Sequence, residues 1–215
     1  MSEESIIKSS PMPVANVTAS GDAVAVGVVY GDIVNNQLSP EMMAQWQTIF
    51  GWAQSQMQQQ QTISHAMEWA GLNHEKFCLF VLDNETYKAG AFSIAKSRAL
   101  KYSPDRERFL PLTEELRAEI RQMPCIFAKR NQTYKCTTPD HPVIYGRITE
   151  IIPQAATIKF CFEPFKTAYQ QTINENISLY GLLSTTLRNQ LDEEHWCIRN
   201  GNLQQVLLNL GIRVD

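Results

Sequence analysis

The apolar positions of this chain change their period along its length, and the period names the elements. From Leu38-Ser39-Pro40-Glu41 onward, Met42, Trp46, Ile49, Phe50, Ala53 and Met57 recur at three- and four-residue steps, the spacing of one helix face. Ser39 is placed to cap the free amides, Pro40 suits a first turn where no N–H is needed, and Glu41 suits the positive end of the dipole. The glutamine run 58–61 reads as polar helix or connector, and SHAMEWAGL as a second helical stretch that stops near Gly71. Then the period disappears. FCLFVL (77–82) is a continuous apolar run of strand length, the pattern of a strand buried on both faces.

The segment YKAGAFSIAKSRALKY reads as a strand followed by a helix from about Ser93, and SPDRERFLPL as a loop. Thr113-Glu114-Glu115 opens a helix that runs to about Gln122 and ends before Pro124. CIFAKR, TYKCTT, VIYGRITEI and ATIKFCFE read as four short strands, with Asn131-Gln132, Pro139-Asp140 and Pro153-Gln154 as turns between them. Gly146 inside the third marks a bulge or sharp bend. Four bent strands in so short a span predict a small curled antiparallel sheet with the content of an SH3-like barrel. Downstream, NISLYGLLSTTLRNQL carries a helix face, HWCIR reads as a short edge strand, and NLQQVLLNLG as a last helix with Asn202 as cap and Gly211 as stop.

The expected fold class is therefore α+β: an N-terminal arm and helices, a central curled sheet and C-terminal helices. Residues 1–37 form the arm, in which Gly21-Asp22 and Gly31-Asp32 mark turns and AVAV alternates like a strand. Two readings of the arm stand side by side, a strand completed by another copy and an unstructured tail. Residues 38–215 form one domain, mainly helical with a buried strand over 38–122, strand-rich over 123–165 and mainly helical over 166–215.

Composition narrows the function classes. With 215 residues and 44% apolar content the chain can bury a core. MSEESIIKSS lacks a signal pattern and the nearby apolar run is far shorter than a membrane span, which points to a cytoplasmic protein. Cys78, Cys125, Cys136, Cys161 and Cys197 include no CxxC pair, so thiols in a reducing compartment are expected rather than disulfides or a zinc ribbon. His65, His74, His141 and His195 show no ligand spacing, and no metal or cofactor is implied. Asp83, Glu85 and Lys88 follow the apolar strand, but at the wrong spacing for a nuclease cluster. No nucleophile elbow, phosphate loop or dinucleotide fingerprint is present.

The net charge of −3 hides an asymmetry of −7 over residues 1–85, +6 over 86–135 and −2 over 136–215. Lys96, Arg98, Lys101, Arg106 and Arg108 cluster with Tyr102 and Phe109, and Lys129, Arg130 and Lys135 with Phe127 and Tyr134. Cations interleaved with aromatics are the chemistry of phosphate pairing and base stacking on single-stranded nucleic acid. They equally suit an acidic protein surface, including residues 1–85 of another copy. The sharpest catalytic candidate is Arg188, Asn189 and, six residues further, His195. This resembles the arginine–histidine motif of HEPN ribonucleases, which implies metal-independent RNA cleavage with Arg188 stabilising phosphorane charge and His195 handling the proton. The Gly-Asp arm and the ending HWCIRNGNLQQVLLNLGI resemble uncharacterised modules of bacterial conflict systems, which implies an antiphage or regulatory role. The expected function is a non-enzymatic, self-associating interaction or regulatory module that binds a protein partner or RNA/DNA, with the ribonuclease as the alternative.

Overall fold

The computed structural model describes residues 40–83, 87, 89–183 and 189–214. The chain falls into two compact units, Met1–Ile49 and Phe50–Asp215. Of the first, only the opening of a helix is described, and the expected arm lies outside the described residues.

That helix, α1 (Pro40–Ala70), runs 31 residues without a break. The connector expected at 58–61 is helical, because glutamine is nearly as good a helix former as leucine. Gly71 ends it as expected, its N–H donating to Met67 O at 3.0 Å. The surprise is the apolar face, which is exposed. Ile49 keeps 55% of its surface, Met57 62%, Ile63 60% and Met67 71%. The last turns pack against the sheet: Trp69 is buried, and His65 and Trp69 both set their rings against Phe165.

The body is a curled six-stranded mixed sheet of order β2-β5-β4-β3-β1-β6. Its strands are β1 (Lys76–Leu82), β2 (Ala91–Ala95), β3 (Pro124–Lys129), β4 (Pro142–Pro153), β5 (Thr157–Tyr169) and β6 (His195–Asn200). The α+β class stands, with two differences in the sheet. It draws in the strands outside 123–165, and β1 enters parallel to β3 while the other pairs are antiparallel. TYKCTT is not a strand. It makes one isolated bridge, Thr133 to Cys136, around Lys135 at φ 58°. Gly146 is the bulge its sequence context predicted. A Cβ there would lie 2.1 Å from Glu163 O, so the β4–β5 crossing closes only on glycine.

The unbroken apolar run in β1 is explained by two cores, one on each face. Phe80 stacks on Phe127 and Trp196 on the concave side, while Phe77, Leu79 and Val81 pack on the other with Trp69, Ile173 and Leu207. β6 and β5 would stand ~19 Å apart in a flat sheet of this order. The rings of Trp196 and Phe160 are nevertheless 4.9 Å apart, because the aromatic residues of the concave face close on one another.

The remaining segments are short. η1 (Lys96–Arg98) follows β2, where a longer helix was expected, and α2 (Arg106–Phe109) interrupts the expected loop. α3 (Glu114–Arg121) lies where its capping sequence predicts. The helix expected over NISLYGLL does not form. α4 (Gln170–Glu175) lies upstream, and Asn176 ends it by donating its side-chain N–H to Thr172 O at 2.9 Å. Tyr180 and Leu182 then both turn inward around Gly181 at φ 62°. HWCIR is the edge strand β6, as expected. α5 (Leu203–Asn209) is capped by Asn202, which accepts from Gln205 N at 2.9 Å, and stops at Gly211.

Candidate functional site

Parallel pairing puts the carboxyl ends of β1 and β3 at the same edge, and β6, antiparallel to β1, starts there with His195 opposite Val81. Three connections therefore leave or enter side by side. They carry Asp83 after β1, Arg130 and Asn131 after β3, and the acidic triplet Asp192-Glu193-Glu194 before β6. A fourth segment, 96–103, crosses them after β2. It is tied down by Ser103 Oγ, which accepts from Ile198 N at 2.9 Å, and by Tyr102 O, which accepts from Arg199 Nη1 at 2.9 Å. Between the four lies a crevice of about 280 Å³. Ligand sites of open α/β sheets favour the same kind of place, beyond the carboxyl ends of strands.

The crevice is charged and internally matched. Arg98 pairs with Glu194, Lys101 with Glu193, and Arg130 with Asp83 at 3.0 Å. Tyr102 donates its hydroxyl to the second oxygen of Glu193. Hydrogen bonds from Lys101 and Tyr102 hold the Glu193 carboxyl below the usual carboxylate range, and the same bonds push the Lys101 ammonium and the Tyr102 hydroxyl up. Backbone strain gathers in these connections: Leu100 and Tyr102 sit at φ 55° and 64°, and Lys135 at 58°.

Behind the crevice an amide network fixes Asp192. Its Oδ1 accepts from Asn131 Nδ2 at 2.7 Å and from Lys135 N at 2.8 Å, while Oδ2 is buried with no protein partner. Asn131 also donates to Asn174 Oδ1 at 3.0 Å, and Asn189 Nδ2 reaches the same oxygen at 2.5 Å. Gln170 donates to Lys129 O and accepts from Lys129 N, so its side chain continues the ladder past the end of β3.

The residues singled out in the sequence do not gather at one place. Arg98, Lys101 and Arg130 meet at the crevice. Lys96 is exposed on η1 nearby, and Lys129 is half-buried at the end of β3. Arg106 and Arg108 lie on α2, paired with Glu107 and Glu119, with the Arg108 guanidinium 4.6 Å from the centre of the Phe109 ring. Phe127 is in the core, while Tyr134 is 67% exposed with Lys135 over its ring. Arg188 lies outside the described residues. Asn189 is buried and caps the short turn η2 (Gln190–Asp192), its Oδ1 accepting from Leu191 N at 2.8 Å. His195 is fully buried, with Nδ1 2.8 Å from Glu193 O, its ring edge-on to Tyr102 and its Nε2 without a partner. Burial pulls its pKa down to about 4, so the imidazole is neutral at pH 7.

Sequence reasoning had the basic half of the crevice and, of the acidic half, only Asp83, singled out in a cluster mis-spaced for a nuclease; it missed Asp192, Glu193 and Glu194. The available signal was the DEE triplet, opposite in sign to the basic segment but some ninety residues away from it. Among the described residues no group of three or more His, Cys, Asp or Glu is placed to hold a metal ion, and no helix is long and apolar enough to cross a membrane. Comparison with protein-family models, curated proteins and solved structures gives no match in any of the three.

Proposed function

We propose that this chain is a non-enzymatic interaction module that self-associates through α1 and presents the charged crevice to a protein partner. The observation that carries the reading is the outer face of α1. From Met42 to Met67 the helix has no Asp, Glu, Lys or Arg, yet Trp52, Ile63 and Met67 keep 66%, 60% and 71% of their surface exposed. Apolar area of that size on a charge-free helix favours burial against another chain. Sedimentation equilibrium tests it. The wild type is expected as an oligomer at micromolar concentration, and Ile63→Glu/Met67→Glu as a monomer with unchanged circular dichroism. A monomeric wild type at ~100 μM, where even a weak interface associates, overturns the reading.

A protein is favoured over nucleic acid because the crevice cations are already matched by carboxylates and Phe127 is buried away from any base. A labelled single strand titrated at rising salt separates the two. No salt-dependent binding is expected, whereas a steep log–log slope would favour nucleic acid. The antiphage role implied by the resemblance is part of the same proposal, tested by phage plating on cells with and without the chain.

One observation favours the ribonuclease as a second reading: the bare Nε2 of His195. It requires that His195 open to substrate. RNA incubated with wild type and His195→Ala decides it, since cleavage that the substitution leaves unchanged, or no cleavage at all, removes it.

A further inference from the structure

We infer that two copies pair through α1 as an antiparallel two-helix coil, with the two chains crossing at Gln58. The inference rests on the self-association reading above and specifies its partner, register and direction.

The register comes from the helix itself. Ile49, Ala53, Gln56, Gln60, Ile63 and Met67 follow one another at alternating steps of four and three, the spacing of a coiled-coil seam. His65 and Trp69 face the sheet. At 100° per residue the seam lies on the opposite side of the helix, about half a turn away. From Ala53 to Met67 the seam therefore lies on the side of the helix opposite the one that meets the sheet.

The occupant follows from charge and size. A partner chosen by charge has nothing to read on a stretch without Asp, Glu, Lys or Arg, whereas a copy of the same stretch meets it without like-charge repulsion. The direction follows from packing. In an antiparallel pair whose opposed residue numbers sum to 116, Ile49 meets the partner's Met67, Ala53 the partner's Ile63, and Gln56 the partner's Gln60. Each small residue then faces a large one, and the buried amides face each other and can exchange hydrogen bonds. In a parallel pair Ala53 would face its own copy and leave a gap, which helix packing disfavours. Antiparallel helices also align their dipoles favourably.

The area is sufficient. Ile49, Trp52, Met57, Ile63 and Met67 are each more than half exposed. At ~100 Å² apiece they offer about 500 Å² per copy, and with the glutamine stems the pair reaches the ~1,200 Å² at which stable interfaces begin.

Disulfide trapping with oxidised glutathione on the full chain tests direction and register. Ala53→Cys protein mixed with Ile63→Cys protein is expected to cross-link well above the wild-type background set by the exposed Cys136, and neither variant alone is expected to do so. Cross-linking of Ala53→Cys with itself would overturn the antiparallel register while leaving self-association intact. Dimer mass in solution with no cross-link in any mixture would overturn α1 as the seam. Monomer mass for the wild type would remove the reading on which this inference rests.

Discussion

β1 and α1 are both apolar, and they end in opposite environments. Every residue of β1 from Phe77 to Leu82 is buried, whereas of α1 only Trp69 is. The difference is not one of hydrophobicity, since Trp46, Ile49, Phe50 and Trp52 are as apolar as anything in the sheet. β1 has neighbours on both edges and a core on both faces, while α1 sets the rings of its last turns, His65 and Trp69, against Phe165. An apolar pattern states that a face requires cover, and the cover itself belongs to whatever the rest of the chain, or another chain, places opposite.

The largest test of this contrast is Phe80→Ala. Phe80 is fully buried between Phe127 and Trp196, with ring centroids 5.4 and 5.7 Å away. Its removal should cost about 3–5 kcal/mol, read as a lowered urea midpoint. Ile63→Ala on α1 should leave the unfolding free energy of the monomer within ~0.5 kcal/mol, the range of ordinary surface substitutions, and weaken only association. Equal losses at the two positions would break the contrast.

A second test uses the strand beside β1. His195 has a folded pKa of about 4 against an ordinary value near 6.5. Because the folded value is depressed, the unfolded chain takes up the proton first as pH falls. Stability is fully present above pH 6.5 and declines between there and about pH 4, by ~3 kcal/mol in all. Urea midpoints at pH 7.5 and 4.5 should differ accordingly, and His195→Gln should shrink the difference. Glu193, also depressed, contributes in the same direction at lower pH, its stabilisation present above its unfolded value and lost as pH falls through the folded one.

Gly146→Ala should come next, at about 1–3 kcal/mol, since the added methyl meets the Glu163 carbonyl rather than a side chain able to move aside. Gly51→Ala on α1 should instead be neutral or stabilising, with nothing within 4 Å of the new Cβ. The gain should be a few tenths of a kcal/mol to ~1 kcal/mol, from helix propensity. Thermal melts of the two variants check both signs.

Legibility in the sequence follows the range of the interactions involved. Asn202 as a cap, Gly211 as a stop, Gly71 as the end of α1 and the buried character of FCLFVL were readable because each is decided within one turn or one strand. TYKCTT and NISLYGLL were misread because local propensity lost to tertiary pull: the amide network holds the loop of Lys135 to Asp192, and Tyr180 turns inward to meet the Tyr145 hydroxyl at 3.1 Å. Half of the crevice was legible as a basic cluster. The acidic triplet before β6 was not, because Glu193 meets Lys101 across ninety-two positions of chain.

The sequence by itself determined the periods, the cap at Asn202, the bulge at Gly146 and the absence of charge between Met42 and Met67, since steric limits and hydrogen-bond needs within a few residues decide the first three and composition the last. Tertiary structure alone decided that β1 runs parallel to β3, that the aromatic face curls until Trp196 reaches Phe160, and that three cations meet three carboxylates at one sheet edge. Those outcomes depend on which distant segments share a core, and burial is non-directional: it rewards covering apolar area without encoding in either segment which partner does so.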